Sequence, residues 1–139
     1  MAFTVADYIV RRLVICGDGG FHMTATALST MVQFRRNPIV VVLANGIYGF
    51  EQFLLDASFS NNPGNAPKPY VVLNNWDFAG FAKGLGVQFA QNIDTPAALD
   101  AALAAAKAFD GPALIAGQVD AHGLSQLTGT ALAGGGPLR

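Results

Sequence analysis

At 139 residues the chain is most simply one domain, and a composition 52% hydrophobic and only 12% charged lets it bury a core and argues against disorder. Eight Lys and Arg against nine Asp and Glu leave a formal net charge of −1 with no basic stripe, which speaks against a nucleic-acid partner. No apolar run approaches the length of a membrane span, MAFTVADYIVRRL lacks the layout of a secretory leader, and the single Cys16 excludes an internal disulfide; a cytoplasmic protein is expected.

Residues 1–13 carry Val5, Tyr8, Ile9 and Leu13 at helical spacing and predict a short amphipathic helix. Residues 12–16 read as a buried strand, with Cys16 an inert core thiol. HMTATALSTMVQFRR reads as one helix with Arg35 and Arg36 in its last turn, ended by Asn37-Pro38. IVVVLAN, residues 39–45, is a β-branched apolar run of the kind covered on both faces of a sheet. The stretch 46–69 reads as irregular around one or two helical turns in GIYGFEQFLLD, and YVVLNN as an extended segment. WDFAGFAKGLG predicts a short helix with Asp77 near its cap, followed by a strand over VQFAQ. Thr95 caps a helix from Pro96 to Phe109, Gly111-Pro112 stops it, and ALIAGQV forms another strand. Residues 123–139 are expected to form a flexible tail. Strands alternating with helices imply an α/β fold: an open, mainly parallel sheet with helices on both faces.

Ligands of such sheets bind at the carboxyl ends of strands. There the chain places Gly17-Asp18-Gly19-Gly20, opening a helix. Glycine admits a ligand close to the backbone, and free N–H groups at a helix start attract phosphate. A carboxylate at that place repels phosphate unless a cation lies between them, a role suited to Mg²⁺. Asn45, 27 residues after Asp18 at the end of the next strand, offers a neutral oxygen as a second ligand.

GDGGFHMTATALSTMVQFRRNPIVVVLANGIYGFEQ resembles the thiamine-diphosphate binding motif, a GDG followed within thirty residues by asparagine. It is most similar to the 2-oxo acid decarboxylase branch, the pyruvate and indolepyruvate decarboxylases, which also share NGIYGFEQ and the Trp-Asp helix of NNWDFAGFAKGLG. The resemblance runs from about Val14 to His122 and implies a thiamine-diphosphate-binding fold over 14–122. It implies that Asp18 and Asn45 give side-chain oxygens to Mg²⁺ and Ile47 its backbone carbonyl. It implies further that Gly17, Gly19 and Gly20 lie against the diphosphate, with Tyr48 beside the cofactor. Glu51 falls where the decarboxylases keep a glutamate for proton transfer, a role that needs a partly protonated carboxyl, which burial would arrange. Ala44 and Gly20 depart from the family, which has a first asparagine and commonly a serine there; neither removes a metal ligand.

The resemblance also implies what this chain lacks. Complete members add a middle domain and a pyrimidine-binding domain, the latter coming from a neighbouring subunit of a homo-oligomer. MAFTVADYIVRRL resembles the start of a full-length decarboxylase, so an internally deleted form with little activity alone is expected. The substrate implied is a small 2-oxo acid, converted to an aldehyde and CO₂. Rival readings are a carboligase of the same superfamily and a non-catalytic, partner-binding module. His22 is expected to make a first-turn surface or cap contact, His122 to be exposed, and Trp76 to pack in the core or a subunit interface.

Overall fold

The computed structural model describes residues 11–123. Four strands, β1 (Leu13–Gly17), β2 (Ile39–Ala44), β3 (Phe89–Ile93) and β4 (Ala113–Gln118), form one all-parallel sheet in the order β1-β2-β4-β3. The helices are α1 (Asp18–Thr24), α2 (Ala27–Gln33), α3 (Gly49–Leu55), α4 (Phe78–Gly84) and α5 (Pro96–Ala108). None is long and apolar enough to cross a membrane.

The sheet is central because β2 and β4 are apolar on both faces. Val40, Val42, Leu114 and Ala116 meet Phe21 of α1, Leu28 of α2 and Ala79 and Ala82 of α4. Ile39, Val41, Ala113 and Ile115 meet Ala102 and Ala106 of α5 on the other side. The small alanines let α5 lie close to the sheet. Its start is fixed by Pro96 and by Thr95, whose Oγ1 accepts a hydrogen bond from the Ala98 N–H at 3.2 Å. At its other end the Arg11 guanidinium donates to the carbonyls of Lys107 (3.2 Å), Phe109 (2.5 Å) and Gly111 (2.8 Å), a cation placed where the helix dipole favours it.

Several elements differ from their sequence expectations. Residues 1–10 of the expected N-terminal helix and 124–139 of the expected tail lie outside the described residues; Arg11 and Arg12 are not helical and Leu13 begins β1. The strand expected to be buried is instead the edge of the sheet, with Leu13, Val14 and Ile15 exposed. Only Cys16 of that run turns partly into the core, where burial pushes its thiol pKa up, as an inert thiol requires. The single helix expected over 22–36 is two, α1 and α2, joined at Ala25-Thr26 by i to i+3 bonds from Leu28 N–H to Ala25 O and Ser29 N–H to Thr26 O. Thr24 Oγ1 donates back to the Gly20 carbonyl at 3.1 Å, a bond that bends helices. YVVLNN is extended only after Val71: Pro69–Val71 forms a 3₁₀ turn, and Val72 is extended and makes a bridge to Ile47. β3 starts two residues later than expected, because the Val87 N–H donates to the Ala82 carbonyl at the end of α4 (3.0 Å) instead of entering the sheet.

Asp77 caps α4 as expected. Its Oδ1 accepts from Gly80 N–H (3.0 Å) and from Asn92 Nδ2 (2.7 Å), and those two bonds, the backbone one first, hold its carboxyl below the usual carboxylate range. Its stabilising contribution is therefore complete above the unfolded-state value of about 3.9 and fades as pH falls through the lower folded value. Replacing Asp77 by Asn should lower stability at pH 7 and flatten its loss over that acid range, measured by urea unfolding at several pH values. In the same assay Leu114→Ala should cost about 2–5 kcal/mol through cavity formation. Thr95→Ala should cost about 1 kcal/mol.

Candidate cofactor site

The carboxyl ends of β1 and β2 stand side by side, and the segments leaving them build a cleft of about 540 Å³. Asp18 opens α1 and is buried, 3% exposed. Its Oδ1 accepts from the N–H of Gly19 (3.0 Å) and its Oδ2 from the N–H of Gly46 (2.7 Å), tying the end of β1 to the loop after β2. Gly46 takes φ +74°, a left-handed turn that glycine makes without strain. The loop is pinned from behind as well: Tyr48 N–H donates to Val71 O and Leu73 N–H to Gly46 O, each at 2.8 Å.

Every residue the sequence marks for the site lines this cleft: Gly17, Asp18, Gly19 and Gly20 from the first loop, Asn45, Ile47, Tyr48 and Glu51 from the second. Their surroundings differ. A Cβ at Gly17 or Gly20 would meet nothing within 4 Å, so both face open space. Gly19 is closed over by the Tyr48 ring, whose Cδ1 would lie 2.6 Å from such a Cβ. Asn45 turns its Oδ1 onto the Ile47 N–H at 3.2 Å, an Asx turn that fixes the side-chain oxygen at the cleft wall. Glu51 stands exposed on α3, without the burial its expected role calls for.

A buried carboxylate with no cation beside it is costly. Asp18 makes no ion pair among the described residues. Nor do those residues hold a cluster of three or more His, Cys, Asp or Glu side chains, so a metal at Asp18 must complete its shell with neutral oxygens. The Asn45 amide oxygen and the carbonyls of the Gly46–Ile47 turn are of that kind. This hard-oxygen set with one carboxylate fits Mg²⁺, which keeps further positions for water and phosphate.

The cleft also holds residues the sequence did not single out. Val119 and Asp120 reach it because β4 lies beside β2, with Val119 N–H donating to Ala44 O at 2.9 Å. Only the order of the strands could have revealed them. Met23 stands exposed on its rim, beside Phe50, which the sequence does offer, with Ile47 and Phe53, as an apolar lining for a hydrophobic substrate. His22 is not a surface contact: its ring stacks on Trp76 at 4.0 Å between centroids, beside Phe78, and its Nε2 is buried without a hydrogen-bond partner among the described residues. Trp76 packs on the core as one of the two expected alternatives. His122 is not freely exposed either, since it stacks on the buried Phe59 at 4.1 Å.

A family model described as "Thiamine pyrophosphate enzyme, C-terminal TPP binding domain" matches residues 2–116. Among curated proteins, pyruvate decarboxylase 1 of Pisum sativum is 31% identical over 117 residues, 81% of this chain and 18% of the relative. Pyruvate decarboxylase 3 of Oryza sativa subsp. indica is 31% identical over 122 residues, 84% of this chain and 19% of the relative. This chain thus spans about a fifth of the length of these relatives. Benzoylformate decarboxylase from Polynucleobacter necessarius superposes with a TM-score of 0.67 at 26% identity, covering 83% of this chain and 20% of that one. The thiamine diphosphate-dependent 4-hydroxybenzoylformate decarboxylase of Rhodococcus jostii RHA1 gives 0.60 at 27% identity, covering 79% and 20%.

Gly19→Ala should destabilise the chain by about 1–3 kcal/mol by forcing the Tyr48 ring aside. Gly20→Ala, facing open space in the same helix, should be neutral or stabilise by up to about 1 kcal/mol. Adding Tyr48→Ala to Gly19→Ala should remove most of the Gly19 penalty in a double-mutant cycle of urea unfolding.

Proposed function

This chain belongs to the thiamine pyrophosphate enzymes, as their C-terminal TPP-binding domain, and from that premise we propose that it holds thiamine diphosphate through Mg²⁺ at Asp18 as part of a 2-oxo acid decarboxylase. The observation that carries this reading is the buried, cation-free Asp18 at the meeting point of two strand ends. Asp18, the Asn45 side-chain oxygen and the Ile47 carbonyl serve as the protein ligands of the metal. Gly17 and Gly20 leave room for the diphosphate, Gly19 supports the Tyr48 ring, and Tyr48 walls the cofactor. When bound, thiamine diphosphate supplies the nucleophilic carbon and the electron sink for loss of CO₂ from a 2-oxo acid.

The chain's own part is to orient the cofactor and handle a proton. Glu51 holds that proton on its carboxyl. Glu51 stands exposed on α3, so the role requires a further protein surface over that helix to bury it. Exposed Met23 and Phe50 on the cleft rim, with exposed Leu54 further along α3, support such a cover. A pyrimidine-binding domain from another chain supplies it in this reading, and the isolated chain binds the cofactor weakly and turns over little. Loss of that orientation alone withholds on the order of 7–11 kcal/mol of barrier lowering. The same apolar rim also suits a partner-binding module without catalysis, and cofactor binding separates the two.

Calorimetric titration of thiamine diphosphate into the folded chain should give heat that depends on Mg²⁺. Asp18→Asn, which keeps an acceptor for the Gly46 N–H, should lose at least tenfold in affinity in the presence of Mg²⁺. A folded chain that binds nothing at millimolar cofactor, or binds equally with and without Asp18 or Mg²⁺, would overturn the assignment and favour the partner-binding reading.

A further inference from the structure

Asn45 is the only asparagine in the chain that is followed by glycine. An Asn-Gly pair is prone to cyclise, because glycine has no Cβ to shield its peptide nitrogen from the side-chain amide that precedes it. The fold places three further features around this pair. The first concerns the attacking atom. The Gly46 N–H donates to Asp18 Oδ2 at 2.7 Å, inside the range of about 2.6–3.2 Å over which a base takes up a proton as a bond forms. The second concerns the carbon attacked. Asn45 Oδ1 accepts from the Ile47 N–H at 3.2 Å, so a donor already points at the oxygen on which negative charge collects. The third concerns the leaving group. Asn45 Nδ2 makes no hydrogen bond among the described residues and lies over Gly49, 3.1 Å from where a Cβ there would stand. Asn45 and Gly46 are only half-buried, and a Cβ at Gly46 would meet nothing within 4 Å, so water reaches the pair.

We propose that this junction is a self-modification site, at which Asn45 closes on the Gly46 nitrogen and is converted to an aspartyl or isoaspartyl residue. The Gly46 nitrogen bonds to Asn45 Cγ and gives its proton to Asp18. The bond from Cγ to Nδ2 breaks, and Nδ2 takes that proton and leaves as ammonia. The product is a succinimide ring, formed without oxidant or reductant. Water then adds to one of the two ring carbonyls; one opening gives aspartate at position 45 and the other gives isoaspartate.

The other asparagines lack this set. Asn37 and Asn62 precede prolines, whose nitrogens carry no hydrogen. Asn61, Asn65, Asn74 and Asn75 precede residues that bear a Cβ. Asn92 is held at both ends, its Oδ1 by the Ala79 N–H and its Nδ2 by Asp77, and it precedes the branched Ile93.

The reaction uses only groups of this chain and does not depend on cofactor binding, but its product changes the cleft. Either form sets a second carboxylate near Asp18, where like charges repel. The isoaspartyl form also adds a backbone carbon between Ala44 and Gly46 and so displaces the N–H that Asp18 holds.

The test incubates the full chain near neutral pH, in native buffer and in urea, and follows each asparagine by peptide mapping with mass spectrometry, counting isoaspartate by enzymatic methylation. In native buffer the product should gather at position 45, severalfold faster than at any other asparagine. It should also form severalfold faster there than in urea, because only the fold brings Asp18 to the Gly46 nitrogen. Asp18→Ala should remove that advantage in native buffer and leave the urea rate unchanged; alanine is chosen because asparagine at 18 would create a second Asn-Gly pair with Gly19. If Asp18→Ala does not fold, the comparison of the unsubstituted chain in the two solvents decides alone. A native chain that reacts at 45 no faster than the chain in urea would overturn the proposal. So would a folded Asp18→Ala chain that reacts as fast as the unsubstituted one, since Asp18 would then act as a guard on the N–H or as a bystander.

Discussion

The carboxylate of Asp18 holds together two parts of the chain that lie 28 residues apart. One oxygen accepts the N–H that begins α1 and the other accepts the N–H that begins the turn after β2. Remove the acceptor and both donors lose their partner, at a cost of about 1–3 kcal/mol for each group left buried and unpaired. The turn at Gly46 also positions Asn45 and Ile47, and the residues after it are fastened to Val71 and Leu73. The wall of the cleft is thus held from the front by one carboxylate and from behind by backbone bonds. That side chain stays in place at the expense of burying a charge, which is the usual mark of a group kept for a ligand rather than for packing.

The fold supplies this carboxylate with a rigid floor. β2 and β4 are sandwiched between two layers of small and branched side chains, so the strand ends that carry the loops cannot shift without disturbing the core. The periphery is looser in composition. α3 and the 3₁₀ turn at Pro69–Val71 present large apolar groups to solvent, while Gln52 and Val71 are buried, the Gln52 Oε1 accepting from Lys68 N–H at 2.8 Å. α3 reaches the cleft through Gly49, Phe50 and Glu51, and its exposed side chains lie where the proposed second domain would sit.

Much of this architecture is legible in the sequence, for local reasons. The apolar β-branched run at 39–44 reads as an interior strand, and Thr95-Pro96 with Gly111-Pro112 brackets α5 because caps and breakers act through the backbone next to them. Asp18 and Asn45 could be paired because a strand-helix-strand unit returns the chain to the same end of the sheet. What the sequence withholds depends on neighbours distant along the chain. Leu13–Gly17 has the composition of an interior strand, yet the strand order puts it at the edge. His22 meets Trp76 across 54 residues of chain, and Asp120 enters the cleft only because β4 is inserted between β2 and β3. The break at Ala25-Thr26 depends on a hydroxyl choosing its own backbone as partner, a choice that hydrophobic periodicity does not register.

The stacking of His22 on Trp76 gives the molecule an optical property. Trp76 is the only tryptophan in the chain, and its ring lies against a residue four positions beyond Asp18 on the same short helix. Indole emission is quenched by a neighbouring imidazole in contact and is sensitive to its charge. An event that moves α1 relative to Trp76 changes the stack and with it the emission. The fold has in effect wired a fluorophore to the one loop whose state is of interest.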